Sequence, residues 1–482
     1  MEDLERIGIP PNSFMPELPE VETIKNVLNT FIQNRRILSI EVLRNSTILG
    51  DVNEFVNRLT NETFLYVSRV GKYLIFHLTN NNVFLSHLRM EGKYFEFDEN
   101  DKNTKHARVI FHLDNNKKLI YDDSRCFGIM KLTSENKYLL EEEISKLGPE
   151  PFDIKDVNVV YQKAIKSSLP IKSFLLDQTV MTGLGNIYVD ETLFISNLHP
   201  LTPAKDISKE KFKEIINNSI IILNKAIKSG GSTIKSYHPG HNIDGNFQTE
   251  LKVYGKKGEK CPTCGTTFRF TKVGGRGTTY CPICQSEKKD KIILGITGKI
   301  AAGKSTVLAS INALGIPTIS SDEIVRDLYN TKKVAILLNK AFNLTFTTFV
   351  DKNILREHLL NNPNELEKLN KIVHPLVKDE INKFISKNKA KIIAVEVPLL
   401  FEAKMEDMFD YIIGVDILSD IQLERLNKRN QDTAKNLLAI NKNHQFDKNK
   451  KKIDFIIINN DSIDNLNTQI NDIISKVQEC LN

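Results

Sequence analysis

The rhythm of apolar and polar positions changes twice along the chain. Between about Ile37 and Leu132, short apolar and alternating runs predict strands at Phe64–Val70, Tyr73–Leu78, Val83–His87, Ala107–Leu113 and Phe127–Leu132. Turn-forming Asn80-Asn81-Asn82 and Asp114-Asn115-Asn116 punctuate them. Ahead of these runs, Glu20–Phe31 has helical spacing. From about Ser134 to Ser229 the spacing is helical, clearest in Ile171–Leu176, Ile187–Ile195 and Phe212–Ile227. Ser229–Asn246 is rich in Gly, Ser and His and predicts a loop. At Lys291 a new alternation of strands and helices begins with the apolar strand Ile292–Thr297, and no internal repeat is visible.

Length and charge sharpen this division. With 482 residues, of which 40% are hydrophobic and 26% charged, the chain has the composition of a soluble protein of about three domains. No stretch of 18 uncharged apolar residues exists, so no membrane span is expected. Met1–Phe14 carries three acids and one Arg, lacks an apolar core and ends near Pro10-Pro11-Asn12-Ser13. It reads as a leader, not a secretory signal, and a cytoplasmic location is expected. The net charge of +6 is mild but uneven. Leu251–Lys289 holds nine Lys/Arg against two acids, whereas Asp290–Asn482 holds 27 against 25. A local basic segment suits a phosphate backbone, although a solvated basic face would look the same.

Four of the six cysteines form Cys261-Pro-Thr-Cys264 and Cys281-Pro-Ile-Cys284. Two such knuckles offer four thiolates to one ion, which predicts a structural zinc in a ribbon. With few apolar residues between the pairs, the metal would supply much of the folding energy. Arg269, Lys272 and Arg276 lie between the pairs, the last in Gly274-Gly275-Arg276-Gly277, where an Arg at a glycine-lined tip suits phosphate contact. The plainer alternative is a ribbon used for protein contacts.

Met15-Pro16-Glu17-Leu18-Pro19-Glu20-Val21-Glu22-Thr23 is followed in order by Gly71-Lys72-Tyr73-Leu74, Ser86-His87-Leu88-Arg89-Met90-Glu91-Gly92, Asp123-Ser124-Arg125-Cys126-Phe127-Gly128, Gly183-Leu184-Gly185-Asn186-Ile187-Tyr188 and the cysteine module. Over about Met15–Gln285 this series resembles the formamidopyrimidine-DNA glycosylase family, which removes oxidised purines. The resemblance implies that Pro16, freed at the N-terminus, attacks the sugar carbon C1′ and forms an iminium. It implies Glu17 as general acid/base at the opening sugar ring and Lys72 as a phosphate grip and proton carrier. A flipped base leaves a vacancy, which Met90 and Phe127 would fill while Arg125 meets the orphaned base. His106, Asn186 and Arg276 complete the implied contacts to double-stranded DNA. Cys126 stands where a basic residue is usual. The chemistry needs a free imino nitrogen, so translation is expected to start at Met15 with loss of the initiator, or the leader to be processed. If Pro16 stays blocked, the alternative is a passive zinc-bearing DNA reader. A pyrimidine-specific relative is the other rival, but Leu18 and Arg125–Phe127 lean towards purines.

Gly298-Lys299-Ile300-Ala301-Ala302-Gly303-Lys304-Ser305-Thr306 fits a phosphate-binding loop between a strand and a helix. Its amides would cradle ATP phosphates, Lys304 would reach the β/γ oxygens and Ser305 would bind Mg²⁺. Ile319–Arg326, Leu355-Arg356, Val373-His374-Pro375-Leu376, Val397–Glu402, Gln422–Leu426 and Asp454–Asn459 make the region resemble dephospho-CoA kinase. That implies Asp322 as the group acting on the ribose 3′-hydroxyl of dephospho-CoA, and Arg429 closing onto the phosphates. Arg356 and His374 would shape the acceptor site, although His374-Pro375 alone could cap or end a helix. Ser320 and Lys299 depart from the family's Asp and Gly. The rival is another P-loop small-molecule kinase.

The expected fold is therefore multidomain. An α+β N-terminal β-sandwich domain spans 15–133, after a leader at 1–14. A helix-two-turns-helix domain spans 134–250 and a zinc finger 251–286. After a linker at 287–290, an α/β P-loop kinase domain spans 291–482. On this scheme Cys261→Ser should weaken DNA binding while sparing the kinase.

Overall fold

The computed structural model describes residues 16–231, 247–429 and 445–481. The leader, the histidines of the 232–246 stretch and the side chain of Arg429 lie outside the described residues. The chain divides into two compact units: Met1–Tyr254 with Thr271–Tyr280, and Gly255–Phe270 with Cys281–Asn482.

In the first unit, helix α1 (Leu18–Phe31) begins at Glu17 through a reciprocal cap, Glu20 reaching back to the Glu17 amide at 3.0 Å. Two sheets follow. Strands β1 (Ile37–Val42), β7 (Ala107–Leu113), β8 (Lys117–Asp122) and β6 (Lys93–Asp98) form one, in the order β1-β7-β8-β6. Strands β2 (Ile48–Leu49), β9 (Ile129–Ser134), β5 (Asn82–His87), β4 (Tyr73–Leu78) and β3 (Phe64–Val70) form the other, in the order β2-β9-β5-β4-β3. Phe55, Phe64, Phe76, Phe84 and Phe111 fill the core, with the Phe84 and Phe111 rings stacked at 5.7 Å. Phe55 comes from helix α2 (Val52–Leu59), a short insertion inside the strand-rich segment. Strand β5 is buried at every position, because Phe84 faces this core while Val83 and Leu85 pack with Ile75 and Ile144.

One strand starts later than its sequence pattern suggests. The buried Asp123 carboxylate accepts the amides of Arg125 (3.0 Å), Cys126 (3.0 Å) and Gly128 (2.7 Å). These bonds pull 123–128 into a loop, β9 begins at Ile129, and Phe127 is left 53% exposed.

The helical part of this unit packs α3 (Ile171–Leu176), α4 (Asn186–Ile195) and α5 (Lys209–Lys228) around Phe174, Tyr188, Leu193 and Phe212. Of the hairpin of β10 (Arg269–Val273) and β11 (Arg276–Tyr280), Thr271–Tyr280, including all of β11, belongs to the first unit.

The second unit carries a five-stranded parallel sheet. Its strands are β12 (Ile292–Gly298), β13 (Thr318–Ser320), β14 (Ile392–Glu396), β15 (Tyr411–Asp416) and β16 (Phe455–Ile458), ordered β13-β14-β12-β15-β16. The central β12 and β14 are buried throughout, as an apolar run in a doubly covered sheet requires. Helix α6 (Lys304–Ala313) follows β12 and α7 (Ser321–Tyr329) follows β13. Helix α8 (Leu366–Lys387) runs straight through Pro375, so His374-Pro375 does not end it. Buried Leu369, Val373, Val377 and Ile381 hold it to the core, which outweighs the lost backbone bond. Helix α9 (Ser419–Arg429) precedes β16, and α10 (Ile463–Gln478) follows it. Among the described residues no helix is long and apolar enough to cross a membrane.

Candidate active sites

Glu17 is placed by the α4 N-terminus. Its carboxylate accepts the amides of Gly185 (2.9 Å) and Ile187 (3.0 Å), donors that the first turn of a helix leaves unpaired. Only glycine permits this approach at 185, since a Cβ there would lie 2.3 Å from the Glu17 carboxyl carbon. Burial is the largest influence on this group. It pushes the Glu17 carboxyl up to about 7, with nearby Glu20 adding to the rise and Lys72 opposing it. Lys72 is itself buried, and that burial lowers its pKa. Its ammonium donates to the Leu184 carbonyl at 2.9 Å.

Lys72 sits in the tight β3–β4 turn, where Gly71 has a positive φ of 57°. Glu150 clamps that turn, accepting Gly71 N (2.7 Å) and both Arg69 Nη atoms (2.6 and 2.9 Å). Arg69 also reaches Glu22 at 2.9 Å. Glu17, Lys72, Asn186, Met90 and Arg276 thus come together around a cleft of about 340 Å³, which His87, Arg89 and Tyr254 also line. Pro16, half-buried, immediately precedes Glu17.

Of the other expected DNA-facing residues, Arg125 and Phe127 sit on the loop built by Asp123, with the guanidinium 5.1 Å from the ring centroid. His106 is on neither the cleft nor that loop; its carbonyl accepts the Asp123 amide at 3.0 Å. Cys126 has φ 60°, so its side chain follows the loop's geometry. Strand β11 is held by Lys172, whose fully buried ammonium meets Asp190 (2.6 Å), Thr278 Oγ1 (2.8 Å) and the Gly277 carbonyl (2.9 Å). Asn186 Nδ2 donates to that same carbonyl at 3.2 Å.

The Sγ atoms of Cys261, Cys264, Cys281 and Cys284 lie within 4.8 Å of one another. Separations of 3.4 Å (Cys264–Cys281) and 3.8 Å (Cys261–Cys284) are far too long for a disulfide. They match the spacing of sulfurs around one tetrahedral ion, so the four residues fit zinc.

In the second unit the Gly298–Thr306 segment loops from β12 into α6. Lys304 Nζ donates to the Gly298 (3.1 Å) and Lys299 (3.0 Å) carbonyls. Lys299, in the phosphate loop, is tied to Asp416 at 2.8 Å, which accounts for its charge. The loop is braced by Asn459 Nδ2 on the Ala302 carbonyl (2.7 Å) and Gln422 Nε2 on the Ile300 carbonyl (2.8 Å). Ser305 Oγ lies 3.4 Å from Glu396 Oε1. Burial raises the Glu396 carboxyl's pKa, opposed by Lys304 and supported by the negative charge of Asp322. Asp322 therefore shares this corner, and it heads the helix whose last residue, Tyr329, lines an apolar pocket of about 490 Å³ with Arg356, Leu355 and Leu369.

Comparison with known proteins follows the same division. The family model "Formamidopyrimidine-DNA glycosylase N-terminal domain" matches residues 15–130, and "Formamidopyrimidine-DNA glycosylase H2TH domain" matches 147–238. "Zinc finger found in FPG and IleRS" matches 258–286. The chain is 42% identical to a formamidopyrimidine-DNA glycosylase of Mycoplasmopsis pulmonis over 276 residues, covering 57% of this chain and 99% of the relative. The chain belongs to the formamidopyrimidine-DNA glycosylase family. A Streptococcus pneumoniae glycosylase is 43% identical, over 56% of this chain and 99% of that one. A crystal structure of Lactococcus lactis Fpg with abasic-site DNA aligns with TM-score 0.53 and 40% identity, over 56% of this chain and all of that one. The remainder carries a second enzyme: residues 292–465 match the "Dephospho-CoA kinase" family model.

Several residues of the two candidate sites escaped the sequence reading. Glu20, which Tyr188 Oη meets at 2.6 Å, had a signal in its capping-box spacing from Glu17. Gln178, joining the Leu184 carbonyl (2.8 Å) to the Gly183 amide (3.0 Å), had none. Glu396 had one: a carboxylate at the C-terminal end of a buried parallel strand, where such sheets bind ligands.

Proposed function

We propose that the glycosylase half acts through the Pro16 nitrogen, with Glu17 as its acid/base partner and Lys72 as the phosphate-facing cation. The nitrogen attacks C1′ of the damaged nucleotide, the bond to the oxidised purine breaks, and the base leaves protonated, taking up the proton that the nitrogen gives up. The Glu17 proton goes to the ring oxygen as the sugar opens to the iminium. The carboxylate left on Glu17 then takes the neighbouring sugar proton, the C–O bond to the 3′ phosphate breaks, and the phosphate leaves. The observation that carries this reading is the buried Glu17 carboxyl, held near 7 beside Lys72 and adjoining Pro16. At that value the group both gives and takes a proton near neutrality. Met90, Arg125 and Phe127 would enter the vacated stack, and Asn186 and Arg276 would hold phosphates.

The scheme requires an unacylated Pro16. The family match starting at residue 15 supports translation from Met15, whose removal would leave Pro16 first. Borohydride trapping on DNA containing 8-oxoguanine tests the step, with the intact mass of the same preparation reporting its first residue. A trapped adduct on a chain beginning at Pro16 is expected. A chain that begins at Pro16 and traps nothing refutes the mechanism. A blocked chain that binds lesion DNA without trapping would make this half a passive reader.

For the kinase half, we propose transfer of the ATP γ-phosphate to the ribose 3′-hydroxyl of dephospho-CoA. Asp322 takes the hydroxyl proton as that oxygen attacks phosphorus, and ADP leaves. Lys304 and the loop amides hold the phosphates. Ser305 and Glu396 present hard oxygen donors suited to Mg²⁺, which would neutralise phosphate charge when bound. The apolar pocket beside Arg356 suits the acceptor's pantetheine arm. Comparing dephospho-CoA with nucleoside monophosphates as acceptors tests the assignment; preference for a monophosphate would overturn it.

A further inference from the structure

The cysteine-bearing segments belong to the same compact unit as the parallel sheet. Arg269, five residues past Cys264, makes a two-point bond to Asp454: Nε to Oδ1 at 2.9 Å and Nη2 to Oδ2 at 2.7 Å. It also donates to the Asp410 carbonyl and lies 5.5 Å from the Tyr411 ring centroid. Asp454 is 1% exposed, and its Oδ2 also accepts the Ile412 amide of β15 at 2.8 Å. Burial raises the Asp454 carboxyl's pKa, and Arg269 is the main opposing charge. The other knuckle joins in. The buried Tyr411 hydroxyl donates to the carbonyl of Pro282, between Cys281 and Cys284, at 3.1 Å. The Thr267 amide donates to the Asp454 carbonyl at 3.0 Å. Downstream, Lys289 pairs with Asp410 at 2.5 Å, whose other oxygen accepts the Ile293 amide of β12 at 2.7 Å.

These contacts grip the starts of β15 and β16. Their far ends support the phosphate loop: the Val415 carbonyl accepts the Lys299 amide at 3.2 Å, and Asn459 holds the Ala302 carbonyl. A four-residue strand spans only about 13 Å, so the two ends are mechanically close.

We propose that the zinc ribbon is a structural part of the kinase, its metal-closed knuckles holding the N-terminal ends of β15 and β16 through Arg269–Asp454 and Tyr411–Pro282. Loss of the metal then loosens the floor of the ATP loop as well as the ribbon. This departs from the expectation that Cys261→Ser spares the kinase, and it depends on zinc occupancy, not on which acceptor the kinase uses.

The test is hydrogen exchange on the full chain, with and without a zinc-selective chelator, and on Arg269→Met with zinc retained. Peptides covering Tyr411–Asp416 and Phe455–Ile458 should exchange at least tenfold faster in both perturbed samples. Peptides from Tyr73–Leu78 and Ala107–Leu113 should not change. Unchanged exchange in the kinase strands after chelation overturns the proposal. So does Arg269→Met matching wild type, which would remove the Asp454 route, or a chain that purifies without zinc. Equal loss of protection in all four peptides also overturns it, because the effect would then be global.

Discussion

Glu17→Gln tests the centre of the proposed glycosylase site. The Glu17 carboxyl moves from 4.5 to about 7 on folding, which corresponds to about 3 kcal/mol in favour of the neutral acid. The folded state therefore binds more protons than the unfolded state between those values. Stability contributed by this group falls as pH rises from 4.5 to 7 and is level above. If Glu17 must donate a proton as the sugar opens, single-turnover trapping should decline above about 7. By pH 9 only roughly one molecule in a hundred would carry the proton, so the rate should be about a hundredfold below its plateau. Glu17→Gln keeps the shape but cannot titrate. Its rate should be lower by about 10²–10⁴ and should lack this inflection. Lys72→Met removes the cation that lowers the Glu17 pKa, so any residual inflection should move to higher pH. The assay is borohydride trapping on preformed abasic DNA from pH 5.5 to 9.5, buffered at constant ionic strength. An inflection that survives unchanged in Glu17→Gln would refute the assignment, as would a wild-type profile that is flat across neutrality.

Other outcomes follow from the same geometry. Lys304→Ala should abolish CoA formation and leave DNA strand cleavage unchanged, measured on one preparation. Lys172→Met strands the buried Asp190 and should destabilise the first unit by about 3–5 kcal/mol in thermal unfolding; adding Asp190→Leu should recover much of the loss. Arg276→Ala should weaken binding to all duplexes alike and reduce the salt slope of DNA binding by about one, as a phosphate contact would; a change in sequence preference instead would count against that role.

Much of this protein was legible one-dimensionally because its signals are local. Strands such as Phe64–Val70 and Ala107–Leu113 match their apolar runs, and the Gly298–Thr306 loop and the paired cysteines follow spacing rules set by backbone geometry and ligand reach. What the sequence determined alone is therefore the kind and order of elements, and the residues able to do chemistry. The tertiary structure decided which of them meet. Glu17 gains its raised pKa only when folding buries it against the start of α4, an effect that the α4 amides and Lys72 oppose but do not cancel. Phe127 leaves its strand because a buried Asp123 gathers three amides, a competition no periodicity records. Arg269 reads as one more basic residue of a DNA-binding ribbon, yet folding commits it to a buried carboxylate 185 residues away. Burial and long-range pairing depend on three-dimensional proximity, and a linear pattern carries no measure of that.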